Sequence, residues 1–127
     1  MSRVVVAWYV HHHGSGHATR LRAISAHLDA PIVALGSRER PALLRDDGTW
    51  VRLDRDDEVE PGSAPPTDLD PSVGGLLHWA PLGHQGHRRR LARVAQELTR
   101  RRVAALVVDT SVEVTLLGRL LGVPTVL

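Results

Sequence analysis

The chain has 127 residues, long enough for one packed core but short for a complete two-domain enzyme. It lacks cysteine, which excludes disulfide frameworks and thiolate metal sites and favours a reducing cytoplasm. The net charge is only +2 and 3% of residues are aromatic, so a nucleic-acid partner is not favoured. We therefore predict one domain over residues 1–127.

The first half of the chain begins with a continuous apolar run, Val4 to Val10, which is typical of a strand buried on both faces of a parallel sheet. A turn containing glycine follows, and then Leu21, Ile24 and Leu28 recur at helical spacing. The next predicted elements are a strand over 31–35, a short helix over 37–45 and a strand over 50–53.

The second half opens with an acidic, Pro- and Gly-rich stretch over 54–75, for which we predict an exposed flexible loop. An amphipathic helix is predicted over 85–102, a buried strand over 103–108 and a last helix over 112–121. The final residues have the pattern of a strand that has just begun, so we expect a domain truncated at its C-terminus. Alternating strands and helices predict an α/β, three-layer, Rossmann-like doubly wound parallel sheet with strand order 3-2-1-4-5.

This strand order brings two distant segments together, namely His11 to His17 and Asp109-Thr110-Ser111. His17 opens a helix, where the dipole favours the neutral imidazole that a general base needs. Asp109 follows an apolar strand and needs a partner there, which could be an imidazole or a backbone N–H at the start of the next helix. A capping or solvent-facing role for His17 fits the same pattern.

Two other kinds of site, a metal site and a dinucleotide site, are suggested by the same segment. The consecutive histidines His11, His12 and His13 leave a strand in alternating directions, so we predict no metal site. The spacing Gly14-x-Gly16-x-x-Thr19 is similar to a dinucleotide fingerprint with an altered third position, and an NADP-binding Rossmann protein is one alternative.

Arg88-Arg89-Arg90 near a helix start suits an anionic ligand, a lipid headgroup or a solvated face.

Three segments together resemble a known family: Gly14-Ser15-Gly16-His17-Ala18-Thr19-Arg20, Val107-Val108-Asp109-Thr110-Ser111 and Leu120-Leu121-Gly122-Val123-Pro124. They look like the N-terminal, acceptor-side domain of a GT-B fold glycosyltransferase, closest in kind to MurG-like enzymes and predicted glycosyltransferases with a G-x-G-H-A-T-R first loop. In that family two Rossmann-like domains face each other, and the C-terminal one holds the nucleotide-sugar.

The resemblance implies a transfer of a hexosyl group to an acceptor hydroxyl, with His17 as base and Asp109 as the residue that orients it. It implies a UDP-sugar as co-substrate, no metal or other cofactor, and an acceptor that is a small molecule or a lipid. The expected partner is a missing C-terminal donor-binding domain or subunit, without which the chain should be inactive. The substrate-binding residues implied are His13, Gly14, Ser15, Gly16, Thr19, Thr110 and Ser111.

The segment His11 to His13 is richer in histidine than most loops of that family, so any of these three residues could take the role of His17. A second hypothesis is a non-catalytic subunit of a split glycosyltransferase, which binds its partner and anchors it at a membrane surface through the Arg88 to Arg102 helix. The expected location is the cytoplasm, with peripheral contact at the inner face of the membrane.

Overall fold

Strands and helices alternate through the computed structural model, which describes residues 3–11, 16–40, 48–56 and 70–127. Within these ranges, none of the helices is both long enough and apolar enough to cross a bilayer. The elements are β1 (Val4–Tyr9), α1 (Gly16–Ser25), β2 (Ile32–Gly36), β3 (Thr49–Arg52), α2 (Gln85–Arg100), β4 (Arg102–Val108), α3 (Val112–Leu120) and β5 (Thr125–Val126).

The five strands form one parallel sheet in the order β3-β2-β1-β4-β5, which confirms the predicted fold class and strand order. β1 lies at the centre, with β2 on one side and β4 on the other. Tyr9, the last residue of β1, is in register with Val108, the last residue of β4. The two strands therefore end level with each other at the point where the strand order reverses.

The alternation of side chains along β1 builds a core on each face of the sheet. Val5, Ala7 and Tyr9 belong to the core that packs against α2 and α3. Trp8 and Val10 point to the other face and pack with Leu21 of α1. From Val5 onward β1 gains hydrophobic stabilisation on both faces of the sheet, which explains its continuous apolar run.

Two charged side chains of α2 are buried, Glu97 and Arg90, and Arg90 reaches the ends of the strands. Arg90 is 1% exposed, and its Nε and Nη2 atoms donate to the Tyr9 hydroxyl at 2.8 and 2.5 Å. Nη1 donates to Ser37 Oγ and, at 3.0 Å, to the carbonyl of Asp54. Burial raises the pKa of the Tyr9 hydroxyl, while the Arg90 charge opposes that rise. This guanidinium thus joins the carboxyl ends of β1, β2 and β3.

The predicted helix over 37–45 differs from the structure where the two can be compared. Residues 37–40 are not helical, and 41–47 lie outside the described residues. The carbonyl of Arg38 accepts a bond from Trp50 Nε1 at 2.9 Å, and Arg40 Nη1 donates to the Gly48 carbonyl at 3.0 Å. These hydrogen bonds, to β3 and to the residue just before it, hold residues 37–40 in a non-helical conformation.

Part of the loop predicted over 54–75 can be described. Residues 57–69 lie outside the described residues, whereas 71–76 form a series of turns. The Asp70 carboxylate organises these turns, since it accepts bonds from the backbone N–H groups of Ser72 and Gly74 at 3.0 and 2.6 Å. The Ser72 hydroxyl also donates to Asp70 Oδ1 at 2.7 Å, and this bond, followed by the two backbone bonds, holds the pKa of Asp70 below its usual value. The chain after this turn leads to α2.

Candidate active site

The candidate site lies at the carboxyl edge of the sheet, where β1 and β4 end side by side. The backbone N–H of Asp109 donates to the carbonyl of Tyr9 at 3.3 Å, so the residue after β4 is held against the end of β1. α1 begins at Gly16 and places His17 in its first turn over the same edge. The strand order thus brings together two residues that are 92 positions apart, at 17 and 109 in the sequence.

His17 and Asp109 form the central contact of this site. His17 Nδ1 lies 2.8 Å from Asp109 Oδ2, and their side chains are 21% and 7% exposed. Among the described residues neither atom has a well-aligned hydrogen-bond partner, so this is a close polar contact with a bent approach. Because Nδ1 faces the carboxylate, Nε2 is the ring nitrogen that remains to react with a ligand.

Arg20 holds the other oxygen of the same carboxylate. Its Nη1 donates to Asp109 Oδ1 at 2.6 Å, although the Arg20 side chain is 57% exposed. His17 and Arg20 are three residues apart and therefore share one face of α1. Thr110 Oγ1 also donates to Oδ1, at 3.2 Å. Oδ1 of Asp109 therefore accepts from Arg20 and Thr110, whereas Oδ2 faces His17.

These contacts decide the charge of Asp109. Burial alone would raise its pKa, but the contact with His17, followed by the charge of Arg20 and the bond from Thr110, holds the pKa of Asp109 below its usual value. The buried side chain therefore remains a carboxylate at neutral pH. An ionised carboxylate at this place stabilises an imidazolium at His17 and fixes the orientation of the ring.

The lowered pKa predicts how Asp109 contributes to stability. A group whose pKa is lower in the folded state stabilises the fold above its unfolded pKa and loses that contribution as the pH falls through its folded pKa. Urea unfolding should therefore show wild type more stable than Asp109→Asn by about 1.5–3 kcal/mol near neutral pH. That difference should shrink below about pH 4, near the ordinary carboxyl pKa. A difference that stays constant into stronger acid would contradict this assignment.

The residues after Asp109 turn the chain sharply into α3. Thr110 has a φ of 63°, in the left-handed region that a β-branched residue rarely adopts and that costs about 1–3 kcal/mol. Ser111 is the N-cap of α3, and its Oγ accepts the N–H of Val114 at 3.2 Å. Ser111, and not Asp109, therefore caps α3. The Asp109 carboxylate is contacted instead by side chains of α1.

A cleft of about 640 Å³ opens on the Asp109 side of the His17–Asp109 pair, hereafter the dyad, and His17 is not among its lining residues. Asp109, Thr110 and Ser111 form part of its wall, together with apolar side chains of α3 such as Leu116. Glu113 of α3 fixes one rim, because its Oε1 accepts the backbone N–H groups at positions 78 and 79 at 2.7 and 2.6 Å. A hydroxyl-bearing ligand in this cleft would lie close to the carboxylate.

The other predicted site residues are distributed as follows. Gly16 and Thr19 lie on α1 with exposed surface, Thr19 two residues after His17. The His11 ring lies beside that of His17, with centroids 5.4 Å apart and ring planes inclined by 53°. The predicted residues that lie outside the described ones are His13, Gly14 and Ser15, together with His12.

The described residues contain no group of three or more His, Asp and Glu side chains that could hold a metal ion. No protein-family model matches the chain, and neither does any curated protein or solved structure. Function must therefore be inferred from the chemistry of the dyad and its surroundings. Catalytic and substrate-binding roles for the residues named above stay predictions.

Two important side chains were missed by the sequence interpretation. Arg20 belongs to the first-loop motif, and its i+3 spacing from His17 is the signal that places both on one carboxylate. Arg90 was grouped with Arg88 and Arg89, which are exposed, although Arg90 is buried. Its position four residues before buried Val94 puts it on the inward stripe of α2, and this spacing could have revealed it.

Proposed function

We propose that this chain is the acceptor-side domain of a nucleotide-sugar-dependent glycosyltransferase, which transfers a hexosyl group to an acceptor hydroxyl. The observation that carries the proposal is the 2.8 Å contact between His17 Nδ1 and Asp109 Oδ2 at the carboxyl edge of a doubly wound sheet. The cleft beside Asp109 and the first-loop motif at the start of α1 support it. The resemblance to MurG-like sequences supplies the reaction type.

In the proposed reaction, His17 Nε2 takes the proton of the acceptor hydroxyl. The hydroxyl oxygen attacks the anomeric carbon of the sugar, so a new C–O bond forms while the bond from that carbon to the diphosphate oxygen breaks. The proton ends on His17, and the Asp109 carboxylate stabilises the imidazolium. The nucleoside diphosphate leaves with the electron pair of the broken bond, and the configuration at the anomeric carbon inverts.

The substrates would be divided between two domains. In this proposal the acceptor binds against Gly16, Thr19, Thr110 and Ser111, with His13, Gly14 and Ser15 of the first loop completing the surface. A second domain or subunit binds a UDP-sugar and brings its anomeric carbon to the acceptor. Backbone N–H groups and helix N-termini stabilise the charge of the leaving diphosphate without a metal ion.

A cytoplasmic location is part of the proposal, and the absence of cysteine supports it. The hypothesis of peripheral contact between α2 and anionic lipid has weaker support. The reason is that arginines on α2 already form ion pairs within the chain. Arg89 contacts Asp54, and the guanidinium groups of three further arginines lie within ion-pair distance of Glu97; these are Arg93, Arg100 and Arg101. Much of the positive charge of α2 is therefore compensated within the chain.

The proposed activity is tested by UDP release from a panel of UDP-hexoses, measured with the full-length protein or complex that contains this chain. Release that depends on a hydroxyl-bearing acceptor, with the sugar recovered on that acceptor, would support the proposal. Acceptors should also shift the NMR signals of His17 and Thr110 in this chain alone, because both lie at the proposed acceptor surface. No transfer and no such shifts across the panel would refute it.

A further inference from the structure

The Asp109 carboxylate is divided between two side chains of α1. Oδ1 is bound by Arg20 Nη1 at 2.6 Å, and Oδ2 faces His17 Nδ1 at 2.8 Å. The two partners lie three residues apart on the same helix, so they approach the carboxylate from adjacent positions. Neither oxygen can move to the other partner without breaking one of these two contacts.

We propose that Arg20 is a positioning residue for the base: it holds Oδ1 so that Oδ2 stays on His17 Nδ1. The proton of neutral His17 is then kept on Nδ1, and the lone pair of Nε2 is directed away from the carboxylate toward a ligand. Arg20 needs no contact with the substrate in this role. The importance of this tautomer for catalysis rests on the proposed function, whereas the tautomer itself can be measured without it.

Alternative roles for Arg20 explain its position less well. An ion pair with an arginine that is 57% exposed contributes little to folding, because water screens the charge and ordering the side chain costs entropy. Arg20 nevertheless contacts a carboxylate that is only 7% exposed. An exposed side chain thus fixes a buried acceptor of hydrogen bonds, which is expected where orientation matters more than stability.

Among the described residues, the charged and titratable groups with a stated contact to the dyad come from three elements, while His78 and Arg119 line the cleft beside Asp109. α1 contributes Arg20 and His17 itself, the turn after β4 contributes Asp109, and the end of β1 contributes His11, whose ring lies 5.4 Å from that of His17. The hydroxyl of Thr110 adds a neutral donor to Oδ1. Within this described set, Arg20 is the permanent cation that contacts the carboxylate.

The test is the ¹⁵N NMR spectrum of the His17 ring at about pH 8, where imidazoles are neutral. Wild type should show a protonated Nδ1 and an unprotonated Nε2. In Arg20→Gln the fraction protonated at Nδ1 should fall by at least about a third, because the carboxylate is free to turn. The Asp109 carboxyl group, followed by ¹³C NMR, should titrate at higher pH in the same variant, since the Arg20 charge is lost.

Two further variants make the result specific. Arg22→Gln removes the same charge from an exposed position on the same helix and should leave both spectra as in wild type. Arg20→Lys keeps a positive charge and should retain most of the wild-type pattern. A wild-type His17 tautomer and Asp109 titration in Arg20→Gln would overturn the proposal. Absence of sugar transfer in wild type would instead refute the proposed function and leave this result standing.

Discussion

Replacing His17 by glutamine is expected to lower sugar transfer by about 10²- to 10⁴-fold, the usual contribution of a general base. Glutamine keeps a polar side chain on the first turn of α1 but cannot accept the proton of the acceptor hydroxyl. His17 is 21% exposed, and the glutamine amide can still donate to the Asp109 carboxylate, so the fold should be retained. The measurement is the rate of UDP release at saturating UDP-sugar and acceptor, in the full-length protein or complex.

The matched control is His27→Gln. His27 is an exposed histidine that follows the other end of α1, away from the carboxyl edge of the sheet. Its replacement should leave the rate within about twofold of wild type, as expected for surface substitutions. Equal rates in wild type and His17→Gln would remove His17 from the reaction and leave His11 to His13 as the candidates for the base.

Replacing Arg90 by alanine is expected to destabilise the fold by about 3–5 kcal/mol, because it truncates a buried side chain and leaves buried hydrogen-bond acceptors without their donor. The Tyr9 hydroxyl, Ser37 Oγ and the carbonyl of Asp54 would each lose a donor. A cavity would remain where the side chain is now 1% exposed. Urea unfolding followed by circular dichroism gives the free-energy difference.

Arg88→Ala is the control for this measurement, since Arg88 is an exposed arginine in the same turn of α2. We expect a change within about 0.5 kcal/mol, as is usual for surface positions. A loss in Arg90→Ala no larger than in Arg88→Ala would mean that Arg90 does not hold the strand ends together. Tyr9→Phe, which keeps the ring and removes the hydroxyl, should lie between the two variants.

The fold could be predicted because a strand that is buried on both faces has a continuous run of apolar residues, which is visible in the sequence. Residues 4–10 and 103–108 are apolar, as expected for strands that are largely covered on both faces, although β4 itself begins at the exposed Arg102. The error at 37–40 has a different origin. Its path is set by hydrogen bonds to Trp50 and Gly48, and such long-range contacts leave no periodic pattern in the segment itself.

The part of the site that depends on strand order could be predicted from the sequence. Strand order alone places the residue after β4 beside the start of α1, so His17 and Asp109 could be paired from the sequence. Topology does not say how a carboxylate divides its two oxygens. The i+3 spacing indicates that Arg20 shares a face of α1 with His17, but the side-chain distances are needed to assign each of them to its own oxygen. The burial of Arg90 likewise depends on the hydroxyl and carbonyl groups that surround it.

The most direct test of the dyad is a double-mutant cycle on the rate of sugar transfer with His17→Gln, Asp109→Asn and the double variant. If the two side chains act as one base, the double variant should be no slower than the slower single variant, within about threefold. Losses that multiply, so that the double variant is slower by the product of the two single effects, would show that His17 and Asp109 act independently.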